Sequence, residues 1–284
     1  MTPPVPPPTT AVVDAVERAL AEDLLPLGDL TSALLPTDLT ATARFVSRAS
    51  GVVAGTACAT EAFAQIDPSV ALVWSVADGD RVAPGMVLAE ASGRLASILT
   101  AERTALNFLG HLSGIATRTR AFVDAAGDDV RIWDTRKTTP GLRVLEKAAV
   151  RAGGGTNHRG NLSDWILLKD NHIALFGITD AVARARSMWP GRTVHVECDH
   201  PEQVHEALAA GADALLLDNM TPQQVADCVA EAAASARRPL VEASGGITLD
   251  TVADYAATGV DCISIGGLTN SAPVLDIGLD IDPV

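Results

Sequence analysis

ALLLDNMTPQQVADCVAEAAASARRPLVEASGGITLDTVADYAATGVDCISI, residues Ala214 to Ile265, repeats one pattern. A short apolar run stops at a polar or glycine residue, an Ala-rich stretch of helical character follows, and another apolar run begins. The same unit extends backwards, so that strands are expected at Val130–Trp133, Trp165–Leu168, Thr193–Val196, Ala214–Leu217, Leu240–Val241 and Cys262–Ile265. Six β/α units fall short of the eight of a closed barrel, so the expected fold is α/β with an open, incomplete TIM-like β/α barrel. A doubly wound parallel sheet is the alternative. In either fold the carboxyl ends of the strands gather at one edge or mouth. Here they deliver, in order, Asp134 with Arg136 and Lys137, then Lys169, Glu197, Asp218, Glu242 with Ser244, and the pair Gly266-Gly267.

The organisation changes near residue 115. Before it, Val12–Leu24 has the spacing of a helix, and Thr42–Arg48 and Leu72–Val76 alternate like strands. Val76–Gly93 resembles the turns of lipoyl-type sheets but has no lysine to carry a swinging group, so it reads as structural sheet. Leu95, Ile98, Leu99, Leu106 and Leu109 stand at helical spacing and leave Arg103 near the edge of the buried face.

The chain has a formal net charge of -14, yet all three lysines, Lys137, Lys147 and Lys169, fall between Asp134 and His172, together with Arg136, Arg143, Arg151 and Arg159. A broad basic surface, which nucleic acid requires, is missing; a compact anion site fits. No signal peptide and no stretch of roughly 20 apolar residues is present, so no membrane partner and a cytoplasmic location are expected. Cys58, Cys198, Cys228 and Cys262 are scattered without a CxxC pair and read as buried reduced thiols.

The chemistry of the mouth follows from three kinds of group. Arg136, Lys137, Arg159 and Lys169 can clamp carboxylates or phosphates. Glu197 and Asp218 can hold magnesium, directly or through water, or accept hydrogen bonds from sugar hydroxyls. The amides of Ser244-Gly245-Gly246 and of Gly266-Gly267-Leu268 can cradle a phosphate. Alone, either carboxylate reads as a strand-end salt bridge and either glycine pair as a turn. Together and in this order they describe a site for a phosphorylated sugar with a metal and an acidic partner.

These residues lie in longer strings: GDLT at Gly28–Thr31, AERTALN at Ala101–Asn107, HLSGIAT at His111–Thr117, DTRKTTPGLR from Asp134, GGGTNHR ending at Arg159, and LLKDNH at Leu167–His172. VE at Val196-Glu197, LLLDNM at Leu215–Met220, EASGGI at Glu242–Ile247, GVD at Gly259–Asp261 and GGLTNSAPVLDIGL from Gly266 follow. Over nearly its whole length the chain resembles the quinolinate phosphoribosyltransferase family, also called carboxylating nicotinate-nucleotide pyrophosphorylases. The resemblance implies an amino-terminal α/β sandwich over 1–115, to which 271–284 return, and an open α/β barrel over 116–270. It also implies phosphoribosyl transfer from phosphoribosyl pyrophosphate to quinolinate with decarboxylation, giving nicotinate mononucleotide. By the resemblance, Arg103, Arg136, His158, Arg159 and Lys169 bind quinolinate, and Lys137 meets the pyrophosphate. Glu197 and Asp218 sit by ribose and Mg2+, and Ser244, Gly245, Gly246, Gly266 and Gly267 cradle the 5-phosphate. Lys137, Lys169, Glu197 and Asp218 are the implied catalytic set, with no organic cofactor. The implied assembly is a homodimer with shared active sites, or a trimer of such dimers.

Asn270 stands where the family often has a histidine, and Ala148 where it often has a tyrosine. His172 reads equally as structural or catalytic, and His111 and His195 read first as structural. Two other functions fit part of the pattern: a related pyrophosphorylase-like protein of molybdenum-transport operons, against which LLKDNH speaks, and a metabolite-binding protein without turnover, against which the joint presence of Lys137, Lys169, Glu197 and Asp218 speaks.

Overall fold

The computed structural model describes residues 4–281. The chain runs through α1 (Thr9–Leu24), β1 (Thr40–Ser47), β2 (Gly51–Val52), α2 (Thr56–Ile66), β3 (Ala71–Trp74), β4 (Arg81–Val82), β5 (Val87–Arg94) and α3 (Leu95–Ala126). It continues with β6 (Arg131–Trp133), α4 (Arg143–Ala152), β7 (Ile166–Leu168), α5 (Asp170–Phe176), α6 (Ile178–Met188), β8 (Val194–Cys198), α7 (Pro201–Ala209) and β9 (Ala214–Asp218). It closes with α8 (Pro222–Ala234), β10 (Leu240–Ser244), α9 (Val252–Ala256), β11 (Cys262–Ser264), α10 (Gly267–Asn270) and β12 (Ile277–Ile281). By packing, the chain falls into two units. One takes the residues up to Arg120, Thr138–Gly154 and those from Gly267; the other takes Ala121–Lys137 and Gly155–Gly266.

The first unit is built on an antiparallel sheet of order β12-β1-β5-β3. β12 pairs with β1 from Ala43↔Ile281 to Ser47↔Ile277, so the end of the described chain completes this sheet. α1 buries Val12, Ala15, Val16 and Leu20, a stripe at helical spacing, and α2 buries Cys58, Ala59, Ala62 and Phe63. Phe45 of β1 meets Phe63 edge-on at 5.9 Å and stacks on Trp74 at 5.8 Å, which seats α2 on the sheet. At the foot of α3, Asp67 accepts hydrogen bonds from Ser69, Arg94 and Ser97, which hold its carboxyl well below the usual range.

The helix expected over Leu95–Leu109 continues to Ala126, through HLSGIAT. Gly110, Ser113, Gly114 and Thr117 look like helix breakers in sequence, but each has a tertiary use. A Cβ on Gly114 would lie 2.1 Å from the carbonyl oxygen of Pro273, so glycine lets the returning chain pass against the helix. Ser113 accepts the N–H of Ala54, and Thr117 that of Val52.

α4 packs with α1 and α10 in the first unit, although it lies in sequence between two barrel strands. Its Glu146, fully buried, accepts a hydrogen bond from Thr139 and meets His111 of α3 at 2.8 Å. Helical periodicity shows that α4 buries a face but not which partner it buries that face against.

The second unit is a six-stranded, all-parallel sheet of order β6-β11-β10-β9-β8-β7. The order is the chain order taken round a ring, cut between β6 and β7. A doubly wound sheet would reverse direction from an inner strand, so the open-barrel reading prevails. β7 and β9 are nearly continuous apolar runs, as expected where both faces are covered. α8 is capped by Thr221, whose hydroxyl accepts the backbone N–H of Gln224, with Pro222 in the first turn.

Candidate active site

Side chains alternate along a strand, so residues two apart share a face. On the inner face, β7 and the residue after it present Leu167 and Lys169, β8 presents His195 and Glu197, β9 Leu216 and Asp218, and β10 Glu242 and Ser244. The second of each pair sits at the rim and the first one layer deeper. Together with Thr135, Arg136, Lys137, His158, Arg159 and Ser264, all of these except His195 line one cavity of about 400 Å³, a size suited to a small-molecule ligand.

Asp134, immediately after β6, is fully buried, and its carboxylate accepts the backbone N–H of His158 at 2.8 Å and the amide of Asn157 at 2.7 Å. It thereby clasps the NHR string to the strand end that carries Arg136 and Lys137. Arg159 is 6% exposed and reaches the carbonyl of Trp165. Burial, and then the neighbouring Arg136, push its guanidinium below its usual pKa, with Asp164 and Glu197 opposing. Two cations held close in a partly dry site favour a ligand with more than one negative charge.

Lys169 pairs with Glu197. Burial pushes the Glu197 carboxyl up, and Lys169 partly offsets this. Asp218 is raised by burial and by Asp199, against Lys169, Lys137 and Ser244. A Cβ on Gly266 would come within 3.0 Å of the Lys137 stem, so glycine there makes room for the lysine. Gly245, at φ +89°, leaves no space for a side chain beside Asn219, whose N–H bonds to the Ser244 carbonyl at 3.0 Å.

Of the expected site residues, the cavity brings together Arg136, Lys137, His158, Arg159, Lys169, Glu197, Asp218 and Ser244. Gly245 and Gly246 continue from Ser244, and Gly266 lies against Lys137, without lining it. Arg103 and Gly267 belong to the other unit, where Arg103 is exposed on α3. Asn270 is exposed and accepts a hydrogen bond from Ser271. His172 takes the backbone N–H of Lys169 at its Nδ1 and caps α5, a structural role. The four cysteines are free and buried, and burial pushes the Cys58 and Cys198 thiols up to about 12.

The sequence places Glu242 at a strand end but gives it no role, and it does not assign Thr135, Leu167, Leu216 or Ser264 to the site. For Leu167, Leu216 and Glu242 a signal existed: each stands two positions before an expected rim residue. His195 Nε2 and His158 Nε2 lie 3.5 and 3.4 Å from one oxygen of Glu242. Among the described residues, these three form the only group of three or more His, Cys, Asp or Glu side chains whose ligand atoms approach within metal-binding range of one another. Burial pushes the Glu242 carboxyl up, but His158, His195 and Ser264 together draw it below its usual range.

A family model described as quinolinate phosphoribosyl transferase, N-terminal domain, matches residues 29–113, and one described as its C-terminal domain matches 115–280. A Bacillus subtilis protein named a probable nicotinate-nucleotide pyrophosphorylase (carboxylating) is 45% identical over 258 residues, 89% of this chain and 88% of its own. The Mycobacterium leprae nicotinate-nucleotide pyrophosphorylase (carboxylating) is 42% identical over 95% of this chain and 97% of its own. The solved structure of the Francisella tularensis nicotinate-nucleotide pyrophosphorylase superposes with a TM-score of 0.91 at 36% identity, over 97% of both chains.

Proposed function

The chain belongs to the quinolinate phosphoribosyltransferase family, whose reaction forms nicotinate mononucleotide for NAD biosynthesis, and from this we propose how its own residues divide the work. In that reaction the quinolinate nitrogen forms a bond to the anomeric carbon of phosphoribosyl pyrophosphate as the bond to pyrophosphate breaks. The ring carbon then loses its carboxylate as carbon dioxide and takes up a proton.

Arg136, Arg159, Lys169 and His158 hold the two carboxylates of quinolinate. The observation that carries this is the convergence of these cations in one cavity with Glu197 and Asp218 at its rim. The dianion relieves the repulsion between Arg136 and Arg159, an interaction that a monocarboxylate meets only in part. Lys137 meets the departing pyrophosphate as a point charge. Glu197 and Asp218 stand where negative charge favours an oxocarbenium-like transition state. Lys169 stabilises the electron pair left on the ring as carbon dioxide departs.

Glu197 and Asp218 are hard oxygen donors of the kind magnesium takes, and they are the residues that would hold it, directly or through water. Bound there, magnesium would neutralise charge on the pyrophosphate. The 5-phosphate lies on the amides of Ser244, Gly245, Gly246, Gly266 and Gly267. Arg103 serves the cavity of a neighbouring chain in a twofold dimer, the arrangement the family resemblance implies. Among the described residues no helix is long and apolar enough to cross a membrane, and we place the enzyme in the cytoplasm.

The test is incubation with quinolinate, phosphoribosyl pyrophosphate and magnesium, followed by mass analysis. Nicotinate mononucleotide and carbon dioxide in equal amounts are expected; their absence refutes the assignment.

A further inference from the structure

Beneath the rim, on the same inner face, lies a charge that the reaction as described does not use. Glu242 is 0% exposed, and the Nε2 atoms of both His158 and His195 turn toward one of its oxygens, at 3.4 and 3.5 Å. A carboxylate so completely removed from water persists only where donors compensate it. Here both imidazole Nε2 atoms stand within ion-pair range of it, though outside hydrogen-bond geometry, and His158, His195 and Ser264 together draw its pKa down against the effect of burial. His195 is itself 2% exposed and does not line the cavity, whereas His158 does.

The ring of His158 is wedged edge-on against Trp133 at 5.4 Å and Trp165 at 4.9 Å. Packing of this kind fixes the plane of an imidazole but tolerates its half-turn, which exchanges Nε2 with Cε1 and Nδ1 with Cδ2. Glu242 removes that ambiguity, because the turned ring would offer carbon to a buried anion.

We infer that Glu242 is a positioning residue for the dicarboxylate ligand: its buried carboxylate, shared between His158 and His195, fixes the orientation of the His158 ring in the cavity before the ligand arrives. The inference rests on the assignment of His158 to quinolinate. It acts on binding, because an unfixed ring must be ordered at the expense of affinity, while the reacting atoms are handled by other residues. Glutamine keeps an accepting oxygen for the shared position but not the negative charge, so it holds the two imidazoles less strongly.

The test is steady-state kinetics of the full-length protein with quinolinate varied at saturating phosphoribosyl pyrophosphate and magnesium. Glu242→Gln should raise KM for quinolinate by roughly tenfold and change kcat by no more than about threefold. In a His158→Asn background the same substitution should change KM by less than about twofold, because its effect passes through that ring. An equal loss in both backgrounds, or a fall in kcat with KM unchanged, overturns the inference.

Should Glu242→Gln fail to fold, as judged by its circular dichroism and thermal melt, 15N-histidine spectra of the wild-type protein decide. The resonances of His158 are identified by their loss in His158→Asn. A protonated Nε2 supports the positioning role; a bare Nε2, or a stoichiometric divalent metal bound in the wild-type protein, overturns it. If the wild-type protein makes no nicotinate mononucleotide, the reaction assignment fails instead, and the same spectra still judge Glu242.

Discussion

At the scale of single residues, the proposed roles separate binding from turnover. Arg159 is buried and repelled by the charge of Arg136, so it gains most from a carboxylate partner. Arg159→Ala should therefore raise KM for quinolinate by one to two powers of ten, the worth of a charge-assisted bond of about 1.5 to 3 kcal/mol. Asp218→Ala should instead lower kcat and weaken the dependence on magnesium. Unchanged turnover and magnesium response in Asp218→Ala would remove Asp218 from the mechanism. The same reasoning bears on substrate choice. Nicotinate has one carboxylate and leaves a cation without its counterpart, so its kcat/KM should fall far below that of quinolinate, by a factor of at least about 100. Equal turnover of the two acids would contradict the pairing.

At the scale of elements, the loops after β9 and β10 interlock. Asn219 adopts φ 56°, its amide reaches Asp218 at 2.6 Å, and its backbone bonds to Ser244. A Cβ on Gly245 would sit 2.3 Å from Asn219 Oδ1, whereas one on Gly246 would meet nothing within 4 Å. Gly245→Ala should thus displace Asn219 and Asp218 and cost activity by about tenfold or more, while Gly246→Ala should carry only the backbone penalty of roughly 1 kcal/mol. Similar activities in the two variants would show that the interlock does not matter. At the junction of β5 and α3, Asp67 has its pKa lowered by Ser69, Ser97 and Arg94. A lowered folded-state pKa stabilises above the unfolded value of about 3.9 and ceases to do so as pH falls through the folded value. Asp67→Asn should melt at a lower temperature than wild type at neutral pH, and the gap should close on strong acidification. A gap independent of pH would mean that the ionised form is not what matters.

At the scale of the whole molecule, Arg103 is on α3 of one unit, and the cavity residues are in the other. The dimer reading predicts complementation. Arg103→Ala and Lys169→Ala, each inactive alone, are dissociated, mixed and reassociated. About half the dimers are then mixed, and each has one doubly damaged and one intact site, so roughly a quarter of wild-type activity should return. No recovery, with subunit exchange confirmed by native mass measurement, would show that Arg103 serves its own chain.

The amino-acid sequence by itself determined the open β/α barrel, its six strands and the rim of the cavity. Those features rest on local signals: apolar runs of strand length, the polar residue that ends each, and the clustering of every lysine between Asp134 and His172. What only tertiary structure decided has a non-local cause. α4 joined the first unit because of what its buried face meets, and α3 ran on through Gly110 and Gly114 because distant chain segments pass against them. In sequence Glu242 reads as one strand-end carboxylate among several and His195 as an isolated polar residue in an apolar strand. Their pairing through one carboxylate oxygen depends on two strands separated in the sheet by β9 and on a loop that Asp134 fastens down, and no window of sequence contains all of these.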